Sequence, residues 1–204
     1  MELELYNKKR NFKETSEPSG KVKKSVSKLI FVVQRHKASR LHYDFRLELD
    51  GVLKSWAVPK GPSMNPKDKR LAMMVEDHPY DYKDFEGVIP EGNYGAGIVE
   101  IWDEGTYSDL ENSVHDVAEK NLRARLKSGD FKFRLFGKKL KGEFVLVKLK
   151  GKEDNSWLLI KHHDQYAVDK EYNSEEHTKK NSPINKWLVE NKKPAKKKIP
   201  LKVR

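Results

Sequence analysis

From Leu41 the chain alternates apolar and polar residues without a break: Leu41, Tyr43, Phe45, Leu47 and Leu49 against His42, Asp44, Arg46 and Glu48. A strand sends successive side chains to opposite faces. The pattern therefore predicts a strand with the apolar set toward a core and His42, Asp44 and Arg46 together on the other face. Asp50-Gly51 follows, a favoured pair for a two-residue hairpin turn because both central residues need positive φ. With those two as the loop, Leu49 faces Val52, Phe45 faces Trp56, Arg46 faces Ser55 and Asp44 faces Ala57. The bulky pairs share the core face, and only serine and alanine stand across from the polar set. Open space is expected above His42, Asp44 and Arg46. The β-branched run Ile30 to His36 predicts a preceding strand on which Gln34 and His36 share a face. From there His36 could close a three-ligand set with His42 and Asp44.

Further strands are expected at Leu71 to Val75 (short and buried), Gly97 to Trp102, Phe131 to Phe136, Gly142 to Leu149 and Ser156 to Lys161. Asp103-Glu104-Gly105 reads as a turn, and so does the region of Gly137-Lys138-Lys139. One helix is expected where Val114, Val117, Ala118, Leu122 and Leu126 recur at helical spacing, capped by Asn112 or Ser113 and stopped at Gly129. A second short helix is expected around Ile184 to Val189. At least seven strands with one or two peripheral helices predict a mainly β fold, an antiparallel sheet closed as a barrel or folded as a sandwich. The barrel is the form adopted here.

Composition adds three constraints. With 36% apolar residues, 204 residues can build one real core. No apolar run approaches a membrane span and Met1 starts no signal-peptide pattern, so a soluble, cytoplasmic protein is expected. The absence of cysteine leaves only histidine and carboxylate to hold a metal. The net charge of +11 resides at the ends: residues 1–28 carry +4, residues 191–204 carry +7, and the span between is neutral. The expected organisation is a basic arm over 1–28, a single barrel domain over 29–190 and a Lys-rich disordered tail over 191–204. Basic ends on a neutral body suit a polyanion.

His-x-Asp on a strand is a weak signal alone. His36 upstream, Arg46 on the same face and His78 in Glu76-Asp77-His78-Pro79 strengthen it. Imidazole and carboxylate suit divalent Mn, Fe, Zn or Ni, and three ligands leave positions open for water and substrate. Arg46, Lys60 and Arg70 supply cations, of which Arg46 stands out because its planar fork shares the ligand face. Tyr82 and His78 could donate to the same anion. The glycine cluster Gly92-Asn93-Tyr94-Gly95-Ala96-Gly97 lacks Gly-Lys-Ser/Thr, so it reads as a hairpin loop with close backbone approach rather than a nucleotide loop. His162, His163 and His177 have no acid-spaced partners and read as structural or solvated.

Several motifs, taken in order, carry a resemblance: Phe31-Val32-Val33-Gln34-Arg35-His36, Leu41-His42-Tyr43-Asp44-Phe45-Arg46-Leu47-Glu48, Trp56-Ala57-Val58-Pro59-Lys60-Gly61-Pro62-Ser63, His78-Pro79-Tyr80-Asp81-Tyr82 and Phe85-Glu86-Gly87-Val88-Ile89-Pro90-Glu91-Gly92. From about residue 8 to about residue 162 the chain resembles the 3′-phosphoesterase module of DNA ligase D, the end-joining repair ligase. The resemblance implies a manganese-binding β-barrel that removes a 3′-terminal ribonucleoside and then the remaining 3′-phosphate to leave 3′-OH. By position, His36, His42 and Asp44 match the metal ligands, and Arg46, Arg70, His78 and Tyr82 match the phosphate site. Gln34, Lys60 and Glu76 match supporting positions. Lys9-Arg10-Asn11-Phe12 resembles a family segment that usually reads Arg-Asp-Phe and reaches toward the active site, which makes Arg10 and Asn11 candidate phosphate-binding residues. Here Asn11 lacks the carboxylate, so a step depending on it is affected. The family module is commonly fused to polymerase and ligase domains, for which 204 residues leave no room; a free-standing or excised module is expected.

The implied partners are DNA 3′ ends at primer-templates or nicks, including ribonucleotide-terminated ends, with a DNA ligase and end-joining factors. A monomer with no membrane attachment is expected. Two other readings of the residues remain at this stage. One is a non-haem iron oxygenase built on His42-x-Asp44 with distal His78. The other is a barrel that binds single strands without chemistry.

Overall fold

Strands β2 (Leu41–Leu49) and β3 (Val52–Val58) pair with Leu49 opposite Val52, Phe45 opposite Trp56, Arg46 opposite Ser55 and Asp44 opposite Ala57, the register implied by the alternation. Asp50 has φ 57° and Gly51 φ 80°, as a two-residue hairpin turn requires. These positions come from a computed structural model, which describes residues 3–23, 28–112, 114–151 and 153–191. β1 (Leu29–Lys37) precedes the hairpin. After it come β4 (Arg70–Met74), β5 (His78–Pro79), β6 (Gly87–Ile89), β7 (Gly97–Ser108), β8 (Asp130–Gly137), β9 (Lys141–Lys148) and β10 (Ser156–Lys161). The circuit β1-β2-β3-β4-β10-β9-β8-β7 closes when β7 pairs back on β1, and every pairing is antiparallel. Eight strands thus make a barrel, with β5 added to β3 and β6 to β7.

The period-2 alternation gives that barrel two sides. Phe31, Val33, Phe45, Leu47, Trp56, Phe131, Phe133, Phe144 and Leu146 fill the interior, each essentially inaccessible to solvent. A buried side chain of this size contributes about 1.5–3 kcal/mol by leaving water, so the interior dominates stability. A second, smaller cluster of Leu3, Tyr6, Val32, Val52, Tyr82, Phe85, Ile89 and Val99 covers the outside of the same wall. It is roofed by helix α1 (Glu4–Lys8) and a 3₁₀ turn at Tyr80–Asp84.

The first residues therefore do more than form an arm. Tyr6 is fully buried with its hydroxyl donating to Pro18 O at 2.7 Å, and Thr15 and Glu17 are buried as well. The Lys-rich composition masks the few apolar residues, Leu3 and Tyr6, that anchor the segment. The Asp103-Glu104-Gly105 turn is replaced by continuous strand. β7 runs through it, with a bulge opposite Val33 and Gln34 that leaves Trp102 unpaired within the interior cluster. Asp103 serves another turn instead, its carboxylate accepting from the backbone N–H of Lys138, Lys139 and Leu140. Gly105 lets the neighbouring strand approach, since a Cβ there would lie 2.3 Å from Phe136 O.

β4 is not buried throughout. Ala72 faces in, whereas Leu71 is 44% exposed, because the strand alternates. Helix α2 (His115–Ser128) buries Ala118 and Leu122, but Val114 and Val117 are exposed. Its N-cap is Val114, without a side-chain cap; Asn112 Oδ1 accepts from Val114 N at 2.9 Å, and Ser113 lies outside the described residues. α3 (Pro183–Glu190) is capped by Ser182, whose side chain accepts from Asn185 N at 3.2 Å. Apart from Asn191, the Lys-rich tail also lies outside the described residues. Among those residues no helix is long and apolar enough to cross a membrane.

Candidate metal centre

His36 and His42 are cross-strand partners on β1 and β2, and Gln34 pairs with Asp44 two residues further along. All four belong to the outer face. The imidazoles stand 4.8 Å apart between centroids, and ligand atoms of His36, His42 and Asp44 lie within 4.8 Å of one another, the one such cluster among the described residues. Backbone carbonyls set the tautomers, since a carbonyl can only accept. His36 Nε2–H donates to Gly95 O at 2.9 Å, and His42 Nδ1–H donates to Arg40 O at 3.0 Å. The remaining nitrogens, His36 Nδ1 and His42 Nε2, face the Asp44 carboxylate at 3.4 and 3.6 Å. Two lone pairs and a carboxylate repel one another unless a cation, proton or metal, lies between them. Histidines held by backbone carbonyls through the far nitrogen are the usual arrangement of metal-binding imidazoles. The donor set fits a divalent ion and could bind one.

Beside this trio the Arg46 guanidinium is 2% exposed and tightly aimed. Its Nε donates to Gln34 Oε1 at 2.7 Å, its Nη2 donates to Asp44 Oδ2 at 3.2 Å, and its plane lies 4.9 Å from the Tyr82 ring centroid. Gln34 is held in turn by donating to Tyr82 O and Phe85 O. Arg46 Nη1 is buried without a partner. An unmade bond from a buried charged donor is costly, so this atom marks where an anion belongs. Burial would raise the Asp44 carboxyl, but the Arg46 charge and the two imidazoles hold it well below the usual carboxylate range. Burial pulls His42 down, and its contacts with Asp44 and Arg40 O outweigh this and leave it raised.

His78 and Tyr82 form the far wall, edge to face at 4.8 Å. His78 Nδ1–H donates to Glu76 O at 2.9 Å, so Nε2 accepts from Arg10 Nη2 at 3.0 Å. Burial, followed by the charges of Arg46 and Arg10, holds the His78 imidazole well below its ordinary value. Burial likewise pushes the Tyr82 hydroxyl well above 10 despite Arg46, and it donates to Glu17 Oε1 at 2.9 Å. The oxygenase arrangement, with His78 as third ligand, is not formed: His78 Nε2 faces a guanidinium, and His36 completes the trio.

The N-terminal segment closes the pocket. Arg10 lies 3.8 Å from the Tyr6 ring centroid and donates to Glu17 Oε1 and Glu76 Oε1, and Lys9 reaches Glu76 Oε2 at 3.0 Å. Burial would raise the Glu76 carboxyl, but its own backbone N–H and then Lys9 and Arg10 hold it below its usual value. The resulting cavity of about 250 Å³ is lined by Arg10, Glu17, His36, His42, Asp44, Arg46, Ala57, Glu76, His78, Tyr82 and Tyr94. Ala57 lies under the open space expected above the polar face.

Three expected site residues lie elsewhere. Asn11 is exposed, its Oδ1 accepting from Lys13 N at 3.3 Å. Lys60 and Arg70 line a separate depression with Tyr43, Asp68, Tyr172 and Glu175, and Arg70 donates to Asp68 and to Tyr172 O. Lys60 lies in the turn after β3 and Arg70 opens β4, and neither lines the pocket of the trio. His162 lies near Glu143, and His177 stacks on Tyr172 at 4.6 Å, both outside the pocket. Sequence reasoning missed Tyr6, Glu17 and the Gly95 carbonyl. The last was foreshadowed by the glycine cluster; nothing in local spacing points to Glu17.

Residues 34–148 match the family described as the DNA ligase D 3′-phosphoesterase domain. The chain is 52% identical over 169 residues to the multifunctional non-homologous end joining protein LigD of Pseudomonas aeruginosa, covering 81% of this chain and 19% of that protein. Against its namesake in Mycolicibacterium smegmatis it is 42% identical over 164 residues, 80% of this chain and 21% of that one. With the multifunctional non-homologous end joining DNA repair protein LigD of Mycobacterium tuberculosis it shares 43% identity over 157 residues, 76% of this chain and 19% of the other. The chain thus spans about one fifth of the length of these curated relatives.

Proposed function

The chain belongs to the DNA ligase D 3′-phosphoesterase family, and on that premise we propose that it is a metal-dependent enzyme that heals DNA 3′ ends. It removes a terminal ribonucleoside to leave a 3′-phosphate, then removes that phosphate to leave 3′-OH. The observation carrying this reading is that Arg46, whose buried Nη1 has no partner, lines the same pocket as the His36, His42 and Asp44 trio. A phosphate offers oxygens to the guanidinium, and the trio offers a place for a cation that would balance the phosphate's charge.

Mn²⁺ is the ion we favour; held by His36, His42 and Asp44, it would supply Lewis acidity and an activated water at neutral pH. The remaining work belongs to side chains. Arg46, kept in plane by Gln34 and Asp44, donates to a phosphate oxygen and counters the charge that builds in the transition state. His78 meets the substrate neutral, because burial and two guanidinium charges disfavour its proton. An arriving phosphate offsets those charges and raises the proton affinity of His78 Nε2, which then takes a proton from solvent and passes it to the leaving oxygen. Tyr82, fixed by Glu17 and still protonated, and Arg10 complete the anion cradle.

The test is a labelled primer-template ending in a ribonucleotide, incubated with Mn²⁺ or with chelator. Sequential appearance of 3′-phosphate and 3′-OH products only with metal is expected. An end left intact under both conditions would overturn the proposal.

A further inference from the structure

The trio occupies the loop end of its hairpin. The β1–β2 ladder ends with the pairs Gln34–Asp44, Arg35–Tyr43, His36–His42 and Lys37–Leu41, and the chain then reverses through Ala38 to Arg40. Strand ends next to loops open most easily, and a shift at these last rungs would move all three ligand-bearing residues. On the opposite face, between the two ligand-bearing rungs, both members of the Arg35–Tyr43 pair are buried and grip one carboxylate. Glu175 Oε1 accepts from Tyr43 Oη at 2.5 Å and Arg35 Nε at 2.9 Å, and Glu175 Oε2 accepts from Arg35 Nη2 at 2.5 Å.

Glu175 is itself anchored. It lies in a 3₁₀ turn, Ser174–His177, with its N–H donating to Asn173 Oδ1 at 3.1 Å. Its neighbour Ser174 is fully buried, accepting from Trp102 Nε1 through its carbonyl and donating through Oγ to Pro62 O. Charge balance alone does not require Glu175, because Arg35 Nη1 already pairs with Glu100 Oε1 at 3.0 Å and also donates to Asn185 Oδ1 at 2.9 Å. What Glu175 adds is a single acceptor shared by two strands. It comes from a segment beyond residue 148, where the family match ends.

We propose that Glu175 is a positioning residue for the metal centre: by tying Arg35 on β1 to Tyr43 on β2 it fixes the rungs that hold His36, His42 and Asp44 at ligand spacing. The proposal rests on the metal reading given above. It assigns the segment after β10 a part in the site although that segment contributes no group to the pocket.

The experiment measures Mn²⁺ affinity, thermal midpoint and kcat at saturating Mn²⁺ for the full chain and for Glu175→Ala, Glu175→Gln, Tyr43→Phe and Asn185→Ala. Glu175→Ala should weaken Mn²⁺ binding about tenfold, the lower end of what loss of ligand-orienting partners costs. Tyr43→Phe, which keeps the ring and removes one bond, should weaken it less, and Glu175→Gln should recover part of the loss. Asn185→Ala, which takes one bond from Arg35 Nη1 but leaves the carboxylate shared by both strands in place, should lower the midpoint and leave Mn²⁺ affinity alone. If Glu175→Ala fails to fold, Tyr43→Phe carries the test. Lower midpoints with unchanged Mn²⁺ affinity in both Glu175→Ala and Tyr43→Phe would overturn the proposal. A wild-type chain that binds no Mn²⁺ would overturn the metal reading beneath it, a failure seen before any variant is compared.

Discussion

The two faces of the β1–β2–β3 wall are built from the same strands by opposite rules. Inside, Phe31, Val33, Phe45, Leu47 and Trp56 are packed against the aromatic rings of β8 and β9. Outside, Gln34, His36, Asp44 and Arg46 are nearly as buried, but by polar neighbours and an added roof of α1 and its following loop. The inner face gains from leaving water and needs no partner groups. The outer face gives up solvation of charges and recovers it only through paired contacts, leaving Arg46 Nη1 unmatched. A polar site can be held rigidly on a strand when the opposite face of that strand bears the stability.

The sharpest way to break this comparison is to remove a member of the trio. Alanine at His36, His42 or Asp44 should abolish metal binding and cut product formation by at least about 10³-fold, since charge neutralisation and an activated water each supply several kcal/mol. Phosphatase assays with parallel Mn²⁺ titration check it, and full activity in His42→Ala would end the assignment.

An inner-face change should do the reverse. Phe45→Ala should cost about 3–5 kcal/mol in urea unfolding, because a buried ring leaves a cavity, while the folded fraction keeps its Mn²⁺ affinity. If affinity falls as steeply as stability, the two faces are not separable.

Arg46 sharpens the outer face into ligand and clamp. Arg46→Ala should retain metal and lose turnover by about 10²–10³-fold, the cost of a missing transition-state donor. Arg46→Lys should recover little, because a point charge cannot occupy Gln34, Asp44 and the phosphate together. Loss of metal in Arg46→Ala would place it among the ligands.

The smallest effect is a pH slope. His78 is depressed in the folded protein, so the unfolded chain binds more protons between that depressed value and about 6.5. Its contribution to stability is therefore full above about pH 6.5 and is lost as pH falls toward the folded value. Metal-free urea unfolding at pH 7 and pH 5 should show a steeper loss for the wild type than for His78→Gln. Equal losses would mean that His78 is not held neutral.

How much of this was legible before folding depends on the range of the interaction involved. The alternation from Leu41 to Leu49, the Asp50-Gly51 turn and the small residues Ser55 and Ala57 are properties of neighbours in the chain. From them followed the hairpin register, the shared face of His42, Asp44 and Arg46 and the space above it. His36 was within reach because β1 immediately precedes that hairpin. Only the tertiary structure could decide the rest. Arg10 and Glu17 reach the pocket because Tyr6 buries its ring against His78 and Tyr82, contacts that span more than seventy residues and leave no period in the sequence. Lys60 and Arg70 share the cationic character of Arg46 but line a separate depression, which charge alone does not reveal. Side-chain periodicity determined which residues share a face. Barrel closure, the β7 bulge and the docking of both terminal segments decided which faces meet, because those contacts depend on the packing of surfaces far apart in the chain.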